Sequence, residues 1–514
     1  MSPAPFSHPP APFVDRNPYR SQRYQRKEIP SFQEARQRLP EPVLPQYPAW
    51  VEMYWRGWEL AWQHLRRPPG DSGLVSDYMH DGVDDTMYMW NSAFMTHFGL
   101  YGRRAFDFLG TLDNFYARQH DDGFICRAID GQTGADLYTP FDPNGAGPNV
   151  LGWSEWRAFR HSRDEERLAR VFWPLLALHH WFRRHRTWPN GLYWATGVSS
   201  GMESQPRAPG GRLHHAHWTW IDANLQASLN CWSLAQMAQM LDEGDLAGEL
   251  NEERAFLQRE VNARLWNEDA RFYQDVDPAG NFSRERTIGA YWALLDKEFV
   301  PEARLIDFLR PLREAESFNR PHRIPSLPAD SESYDAGAAD GWLGGVWAAT
   351  NYMVLKGLRR VGQAALAHQI AMNHLENVGQ VFEHTDTFWE YYRPETAAPG
   401  EQARPHFVGP TGLSAISVLL EDVIGISVDW PLRNVVWDRR LPDDAPHADD
   451  QRGAADRRWG VRGLPLGEDG LLDLLGDRRE IEVRTTVPVS LTVRYNETEL
   501  QTAVPSGLTV LALE

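Results

Sequence analysis

Apolar residues recur at every third or fourth position along most of the first 430 residues, which places them on one face of an α-helix. The clearest runs extend from Trp50 to Leu65, from Phe94 to Phe115, from Leu168 to Phe182 and from Trp218 to Trp232. Less regular runs cover 245–265, 345–360, 362–378 and 411–424. These runs predict at least eight helices, with Phe94 to Phe115 as a single helix.

Strand-like alternation, with an apolar residue at every second position, is concentrated at the end of the chain. It covers Ile481 and Val483, then Val489 to Tyr495, then Leu508 to Leu511. The preceding segment, 438–460, is charged and poor in large apolar residues, which is typical of an exposed connector. The pattern favours a mainly α protein, an α/α toroid with a small C-terminal antiparallel β module.

The same patterns divide the chain into four parts. We expect a proline-rich arm over 1–44, a helical barrel over 45–430, a charged connector over 431–474 and a β module over 475–514. The long loops between helices should converge on an axial pocket at one end of the barrel. The β module is expected to pack on the outside of the barrel and not over that pocket.

Charge and cysteine content exclude several classes of function. The 514 residues include 52 basic and 70 acidic side chains, a net charge of −18, which disfavours nucleic acid and anionic membranes as partners. Two cysteines, Cys126 and Cys231, cannot form a disulfide framework or a CxxC site. The first residues lack a signal-peptide pattern, and no apolar run is long enough to span a membrane. We therefore expect a cytoplasmic protein.

Aromatic residues are abundant and many lie in loop-like sequence. There are 22 Trp, 17 Tyr and 22 Phe. An indole or phenol ring presents a flat apolar face to a sugar while its polar edge still forms hydrogen bonds, so this enrichment beside carboxylates indicates a carbohydrate ligand. The alternative for any one Trp is a place in the core.

Two short motifs match catalytic patterns without their structural context. GVSSG at 197–201 fits a nucleophile elbow, but that elbow joins a strand to a helix in a parallel sheet, and the chain lacks that alternation. HHAH at 214–217 could bind metal, but it has neither an HExxH motif nor a cysteine ligand beside it. Phosphate-binding glycine motifs are absent from the sequence. We expect neither metal nor cofactor.

Clusters of aromatic and acidic residues remain at predicted helix ends and loops. They are MYMWNSAF (87–94), NVLGWSEW (149–156), SGMESQPR (200–207), DGWLGGVWAATNYMV (340–354) and TFWEYYRPETAAPG (387–400). Glycoside hydrolysis requires two carboxyl groups, one protonated and one ionised. Glu203 and Glu390 fit, because each lies among aromatic or small residues that could raise a pKa. A solvated surface Glu is the alternative for Glu203.

SGMESQPR resembles the SGMD-x-x-PR signature of glycoside hydrolase family 63 and its mannosylglycerate and glucosylglycerate hydrolase relatives, a group that includes trehalases. MYMWNSAF, GWLGGVWAATNYMV and FWEYYRPET are similar to other segments of that family, and the resemblance covers about 75–425. It implies an (α/α)6 barrel and inversion of configuration, with Glu203 as general acid and Glu390 as general base. The predicted substrate-binding residues are Trp90, Asn91, Trp153, Glu155, Trp156, Arg207, Asp222, Trp342, Trp347, Trp389 and Tyr391.

The chain departs from the family pattern at three positions. Glu203 stands where aspartate is common, Asn91 where aspartate is usual, and Leu343 where many relatives have arginine. An asparagine is a weaker acceptor for sugar hydroxyls than a carboxylate, so the change at position 91 bears on substrate preference and activity.

The sequence therefore favours an exo-acting, inverting α-glycosidase on a small α-glucoside or α-mannoside, such as a glycosylglycerate or a short oligosaccharide. Two alternatives stay open, a sugar isomerase or epimerase using His214, His215, His217 or His384, and a carbohydrate-binding protein without activity. Arg127, Arg207 and Arg323 are candidates for pairing with a glycerate carboxylate. The sugar, the aglycone and the oligomeric state are not determined by the sequence.

Overall fold

The computed structural model describes residues 11–441, 458–495 and 498–513. The α-helices in these ranges are α1 (Phe32–Arg36), α2 (Pro48–Gln63), α3 (Met89–Gly102), α4 (Gly110–Ala117), α5 (Leu151–Ser162), α6 (Glu165–His185), α7 (Gly197–Ser200), α8 (Ile221–Met240), α9 (Gly244–Arg264), α10 (Glu302–Leu309), α11 (Ala348–Arg360) and α12 (Ala364–Thr385). A 3-10 helix, Ile288–Leu295, and a π-helix, Leu413–Val423, are also long elements.

Six helical segments contact one another in cyclic order. The order is α3, α5, α8, Ile288–Leu295, α11 and Leu413–Val423, and the last segment contacts α3 again. Every residue of Ile288–Leu295 and of Leu413–Val423 is buried, whereas only four residues of α9 are. Helices α2, α4, α6, α9 and α12 contact the six, and together with α10, which lies between Ile288–Leu295 and α11, they alternate with them along the chain. The six segments therefore form an inner ring and the others cover it.

Local sequence explains where several of these helices begin and end. Helix α6 starts after Asp164, whose side chain accepts a hydrogen bond from the Arg167 amide at 2.8 Å, and it ends in a basic turn. The run from Phe94 to Phe115 was predicted as one helix, but the structure divides it into α3 and α4. The two helices lie in different layers, because α3 contacts the inner segments α5 and Leu413–Val423, whereas α4 contacts α3 and the 3-10 helix Pro18–Ser21.

Aromatic side chains from four inner segments fill the centre of the ring. They are Trp90, Phe94 and His97 from α3, Trp153 from α5, Trp292 from Ile288–Leu295 and Tyr352 from α11. Ring centroids lie 5.6 Å apart for Trp153 and Trp292, and 5.4 Å apart for His97 and Tyr352. This axial aromatic cluster separates the two ends of the ring.

The strands are β1 (Glu41–Val43), β2 (Leu65–Arg66), β3 (Tyr78–Met79), β4 (Thr86–Tyr88), β5 (Ala128–Asp130), β6 (Trp266–Asn267), β7 (Phe272–Tyr273), β8 (Ile426–Asp429), β9 (Asn434–Arg439), β10 (Trp459–Leu466), β11 (Gly470–Gly476), β12 (Glu480–Thr485), β13 (Val489–Tyr495), β14 (Thr498–Val504) and β15 (Gly507–Ala512). One sheet has the order β1-β10-β11-β12-β15 and a second β14-β13-β9-β8. Trp437 and Trp459 join the two sheets, with ring centroids 5.1 Å apart.

The C-terminal sheets correct the predicted boundaries. The segment 431–474, predicted as a connector, contains β9, β10 and most of β11 in its described part, while 442–457 lies outside the described residues. Strand β13 pairs with β9 in parallel, so the module is not wholly antiparallel. The predicted N-terminal arm supplies β1 to the first sheet. Up to residue 430 the strand pairs of the described residues are antiparallel.

None of the described helices is both long enough and apolar enough to cross a membrane. Cys126 and Cys231 are free and buried.

Candidate active site

Glu203 lies on a loop that follows the short helix α7. The helix starts at a capping box between Thr196 and Ser199 and ends at Gly201, whose φ of 76° is a left-handed conformation that favours glycine. Gly197 allows the returning loop to approach, because a Cβ there would lie 2.5 Å from the Glu203 carbonyl oxygen. The local sequence thus places Glu203 just beyond a tight helix end.

Buried hydrogen bonds anchor this loop, residues 201–207, to the surrounding protein. The Arg207 guanidinium bonds to both oxygens of Asp222 (2.7 and 2.8 Å) and of Asp275 (2.7 and 2.8 Å). The Gln205 amide donates to the Ser326 carbonyl at 2.9 Å. The Arg207 side chain is 0% exposed and that of Asp222 1%, so neither is available to a sugar. We revise their predicted role from substrate binding to support of the loop.

The surroundings of Glu203 raise the pKa of its carboxyl group above the usual value. Burial raises its pKa, and the negative charge of Glu390 raises it further. Arg127, 3.7 Å away, and a hydrogen bond from the Trp342 side chain act in the opposite direction, with a smaller effect than burial. The side chain is still 31% exposed. An incoming ligand could therefore reach a carboxyl group whose pKa is raised.

Glu390 is held in a different way. Its two carboxylate oxygens accept hydrogen bonds from Nε and a terminal nitrogen of Arg404, both at 2.9 Å. The backbone N–H of Glu390 also donates to the Arg404 carbonyl oxygen at 3.0 Å. Such a bidentate pair fixes the orientation of the Glu390 carboxylate. Glu203 and Glu390 thus interact electrostatically but differ in their partners, as an acid and a base require.

A stack of three aromatic rings connects the two acids. The Trp342 and Trp347 rings lie 4.1 Å apart and 4° from parallel, and Trp347 stacks on Tyr391 at 4.7 Å. Trp342 hydrogen-bonds Glu203, and Tyr391 follows Glu390 in the chain. The structure therefore brings these predicted substrate-binding residues together beside the acids. Trp389, next to Glu390, is half-buried.

Asn91 is connected to the same region through Asp81, which has no recognisable motif in the sequence. The Asn91 amide donates to Asp81 at 2.5 Å, and the Val83 amide donates to the other Asp81 oxygen at 2.9 Å. Burial raises the pKa of Asp81 to about 6, while Arg404, the partner of Glu390, lowers it. Trp90, next in sequence, lies beside Gly201 at the start of the Glu203 loop.

The remaining predicted residues lie elsewhere. Glu155 is 2% exposed and is bonded to Arg167 and Tyr116, so it joins α5 to the outer helices. Trp153 belongs to the axial aromatic cluster, and Trp153 and Trp156 line a separate cavity. Contacts of Glu155 and Trp156 with a sugar bound beside Glu203 and Glu390 are therefore not supported. Leu343 is half-buried in the 3-10 turn Gly341–Leu343 beside Trp342.

Sequence reasoning missed Asp81 and Arg404. Asp81 precedes Gly82 in a polar loop without helical or strand periodicity, and Arg404 follows Glu390 by 14 residues. A signal for Arg404 was available in principle, since a buried carboxylate needs a cation or several donors close by. No comparable signal identified Asp81.

One side-chain group has the spacing of a metal site. The ligand atoms of His179, Cys231 and Glu253 all lie within 4.8 Å of one another. However, Glu253 already accepts a hydrogen bond from Tyr193 at 2.8 Å and pairs with Arg183 at 3.3 Å. Burial raises the pKa of the Cys231 thiol, which disfavours the thiolate that a metal requires. We assign no metal to this group.

The GVSSG and HHAH motifs have structural roles. In GVSSG, the Ser199 amide and hydroxyl form the capping box of α7. In HHAH, Nδ1 of His214 and of His215 accept backbone N–H groups two residues later, at 2.8 and 2.9 Å.

Comparison with known proteins identifies the family. Residues 88–409 match the model of the mannosylglycerate hydrolase MGH1-like glycoside hydrolase domain, which is more than half of the chain. The chain belongs to this family. It is a glycoside hydrolase, and the resemblance found in the sequence is confirmed.

Several relatives share the fold at low identity. The glucose complex of the family 63 mannosylglycerate hydrolase from Thermus thermophilus is 21% identical, with a TM-score of 0.57 over 71% of this chain and 99% of that one. Neutral trehalase Nth1 from Saccharomyces cerevisiae is 13% identical, with a TM-score of 0.55 over 74% of this chain and 80% of that one. A probable mannosyl-oligosaccharide glucosidase from Schizosaccharomyces pombe is 23% identical over 54% of this chain and 34% of that protein.

Proposed function

We propose that this glycoside hydrolase is an exo-acting, inverting α-glycosidase built on an (α/α)6 toroid. Glu203 donates a proton to the departing glycosidic oxygen, and Glu390 activates a water on the opposite face of the sugar. The closed cycle of six inner segments supports the toroid. The observation that carries the mechanism is the contrast between a carboxyl group with a raised pKa and a carboxylate paired with arginine.

A small α-glucoside or α-mannoside is the substrate that fits this assignment, and the names of the relatives point to the same class. The Trp342, Trp347 and Tyr391 stack offers apolar faces to a pyranose. Because the leaving group must lie beside the general acid, the distance of 3.7 Å between Arg127 and Glu203 supports a leaving group that carries a carboxylate. An acidic aglycone such as glycerate is therefore the preferred proposal.

Two substitutions test the roles of the acids. Glu203→Gln should retain more activity on a glycosyl fluoride, whose leaving group needs no proton, than on a natural glycoside. Glu390→Gln should lose both activities, because no base remains to activate water. Glu395→Gln is a matched control in the same segment, since Glu395 is paired with Arg320 at 2.7 Å outside this site.

Stereochemistry gives an independent test. In an inverting pair the two carboxyl groups stand about 6.5–9.5 Å apart, which leaves room for the water. Proton NMR of the first-formed anomer from an α-glycoside should therefore show the β-sugar. If the α-sugar forms first, or if Glu390→Gln hydrolyses a natural substrate at close to the wild-type rate, the assignment fails.

The alternatives have less support. An isomerase would use paired histidines, yet Nδ1 of His384 is bonded to the Gln380 carbonyl at 2.7 Å, and His214 and His215 bond to their own loop. A protein without activity would have no reason to keep two acids with such different partners.

A further inference from the structure

A second cavity lies at the end of the ring opposite the acids. Trp90 and Asn91 lie in the first turn of α3 and Tyr101 in its last turn, and α11 begins after Trp347 and ends at Arg360. Tyr101 and Arg360 both line this cavity, which has a volume of about 390 Å³. The β8–β9 hairpin contributes to its wall. The axial aromatic cluster therefore lies between this distal cavity and the active site.

Basic side chains outnumber acidic ones in the lining of the distal cavity. Five basic side chains line it against two acidic ones, in a chain of net charge −18. The basic residues are Arg157, Arg160, Lys356, Arg359 and Arg360, and the acidic ones are Glu421 and Asp429. Two further carboxylates, Asp422 and Asp438, pair with Lys356 and Arg359 from outside the lining, so Arg360 is the cation that remains to attract an anionic ligand.

Of the five basic residues that line the distal cavity, Arg360 is the one without an ion-pair partner among the described residues. Arg160 forms a bidentate pair with Asp429, and Arg157 and Lys356 pair with Glu421 at 2.6 and 2.7 Å. In the part of the chain that the structure describes, Arg360 forms neither an ion pair nor a hydrogen bond. Its guanidinium carbon instead lies 5.1 Å from the centroid of the Trp232 ring.

Buried polar atoms without partners concentrate on the same wall. They are Nε1 of Trp156, Nε of Arg157, both ring nitrogens of His161 and Oδ1 of Asn434. Trp156 is 8% exposed and His161 only 5%. A buried polar atom without a partner costs free energy, so a bound species that completed these hydrogen bonds would be stabilised.

We propose that the distal cavity binds a small hydroxylated organic anion, a hydroxycarboxylate or a sugar phosphate. Arg360 and its neighbours bind the carboxylate or phosphate, whereas the faces of Trp156 and Trp232 contact the carbon skeleton. The unpartnered atoms of Trp156, His161 and Asn434 bind the hydroxyl groups. This site is separate from the acids and does not depend on the proposed hydrolytic mechanism.

Calorimetric titration tests the proposal with four probes: D-glycerate, glucose 6-phosphate, inorganic phosphate and glucose. We expect one of the two hydroxylated anions to bind more tightly than both phosphate and glucose. Arg360→Gln should weaken that binding by about tenfold or more, as loss of a charged hydrogen bond requires. Trp156→Phe keeps an aromatic ring but removes the N–H donor, and should weaken it by about threefold to tenfold. The two anions distinguish a carboxylate site from a phosphate site.

The control is Arg264→Gln, which removes the same charge from an exposed position on α9, where Arg264 pairs with Glu260. It should leave the affinity unchanged. Circular dichroism checks that both variants are folded. If neither Arg360→Gln nor Trp156→Phe alters the affinity of the folded protein, the ligand binds at the active site and the proposal is wrong. The proposal is also wrong if no probe binds at millimolar concentration, or if glucose or phosphate alone binds as tightly as both hydroxylated anions.

Discussion

Replacing Asp81 with asparagine should stabilise the protein and at the same time impair it. Asp81 is 2% exposed and its carboxylate accepts hydrogen bonds only from the Val83 amide and the Asn91 side chain in the described structure. Burial without an ion-pair partner raises its pKa from 3.8 to about 6. The folded protein therefore binds a proton at Asp81 more tightly than the unfolded chain does.

The pH dependence of stability follows from the tighter proton binding of Asp81 in the folded protein. Below pH 3.8 the carboxyl group of Asp81 is protonated in both the folded and the unfolded protein and does not lower the free energy of unfolding. As the pH rises from 3.8 to about 6, the unfolded chain releases this proton first, so the free energy of unfolding falls. This rise in pKa corresponds to roughly 3 kcal/mol at neutral pH, since one pKa unit is about 1.4 kcal/mol. An asparagine side chain at this position would carry no charge to desolvate. Asp81→Asn should therefore raise the free energy of unfolding by about 1–3 kcal/mol at pH 8 and by little at pH 4.

Asp81→Asn should lower the catalytic activity although it raises the free energy of unfolding. The Asp81 carboxylate accepts only, so it directs the amide NH2 of Asn91 towards itself and leaves Asn91 Oδ1 for other donors. An amide at position 81 can donate as well as accept and no longer fixes this orientation. We expect kcat/KM on the best α-glycoside to fall about tenfold, the cost of one charged hydrogen bond.

Thermal unfolding at a fixed scan rate, at pH 4 and pH 8, measures the first effect, and steady-state kinetics measure the second. Asp130→Asn is the control, because hydrogen bonds from Thr133 lower the pKa of Asp130, and its loss should lower Tm at pH 8. The reasoning is refuted if Asp81→Asn lowers Tm at pH 8, or if its effect on Tm is the same at both pH values.

Three further substitutions examine the surroundings of the acids. Arg404→Gln should lower kcat by about 10- to 100-fold, because Glu390 loses the bidentate pair that orients it, and an unchanged kcat would contradict this. Trp342→Phe removes a hydrogen bond that lowers the pKa of Glu203, so the basic limb of the pH profile of kcat/KM should move to higher pH; a shift to lower pH would contradict the assigned acid. Arg207→Gln leaves two buried carboxylates without a cation and should cost about 3–5 kcal/mol of stability, visible as a lower Tm.

The sequence was informative where a helix has one buried face. Helices such as α2 and α6 carry a clear period because their other face is solvated. The segment Ile288–Leu295 has no such period, since neighbours surround it on all sides, and it was missed. The parallel pairing of β9 with β13 was also not predictable, because neither strand records its partner in its own residues.

The candidate site was predictable to a similar degree. Glu203 and Glu390 stand out because their neighbours are aromatic or small and because the surrounding segments resemble a known family. Glu155 and Arg207 carry the same kind of signal, but each is neutralised by a buried partner distant in sequence, Arg167 for the first and Asp275 for the second. The hydrogen bond between Asn91 and Asp81 forms only when the loop between them folds, so the sequence does not indicate it.

The pairing of β1 with β10 has a consequence for synthesis of the chain. Glu41 lies opposite Arg462, so about 420 residues must leave the ribosome before this strand finds its neighbour. At about 5–20 residues per second, the wait is roughly 20–80 seconds. During that time the edge of β1 is open to wrong partners, whereas the helical ring can already assemble. Attaching the N-terminal segment is therefore a late step, and replacing Val43, which pairs with Gly460, should impair the final yield of folded enzyme more than the formation of its helices.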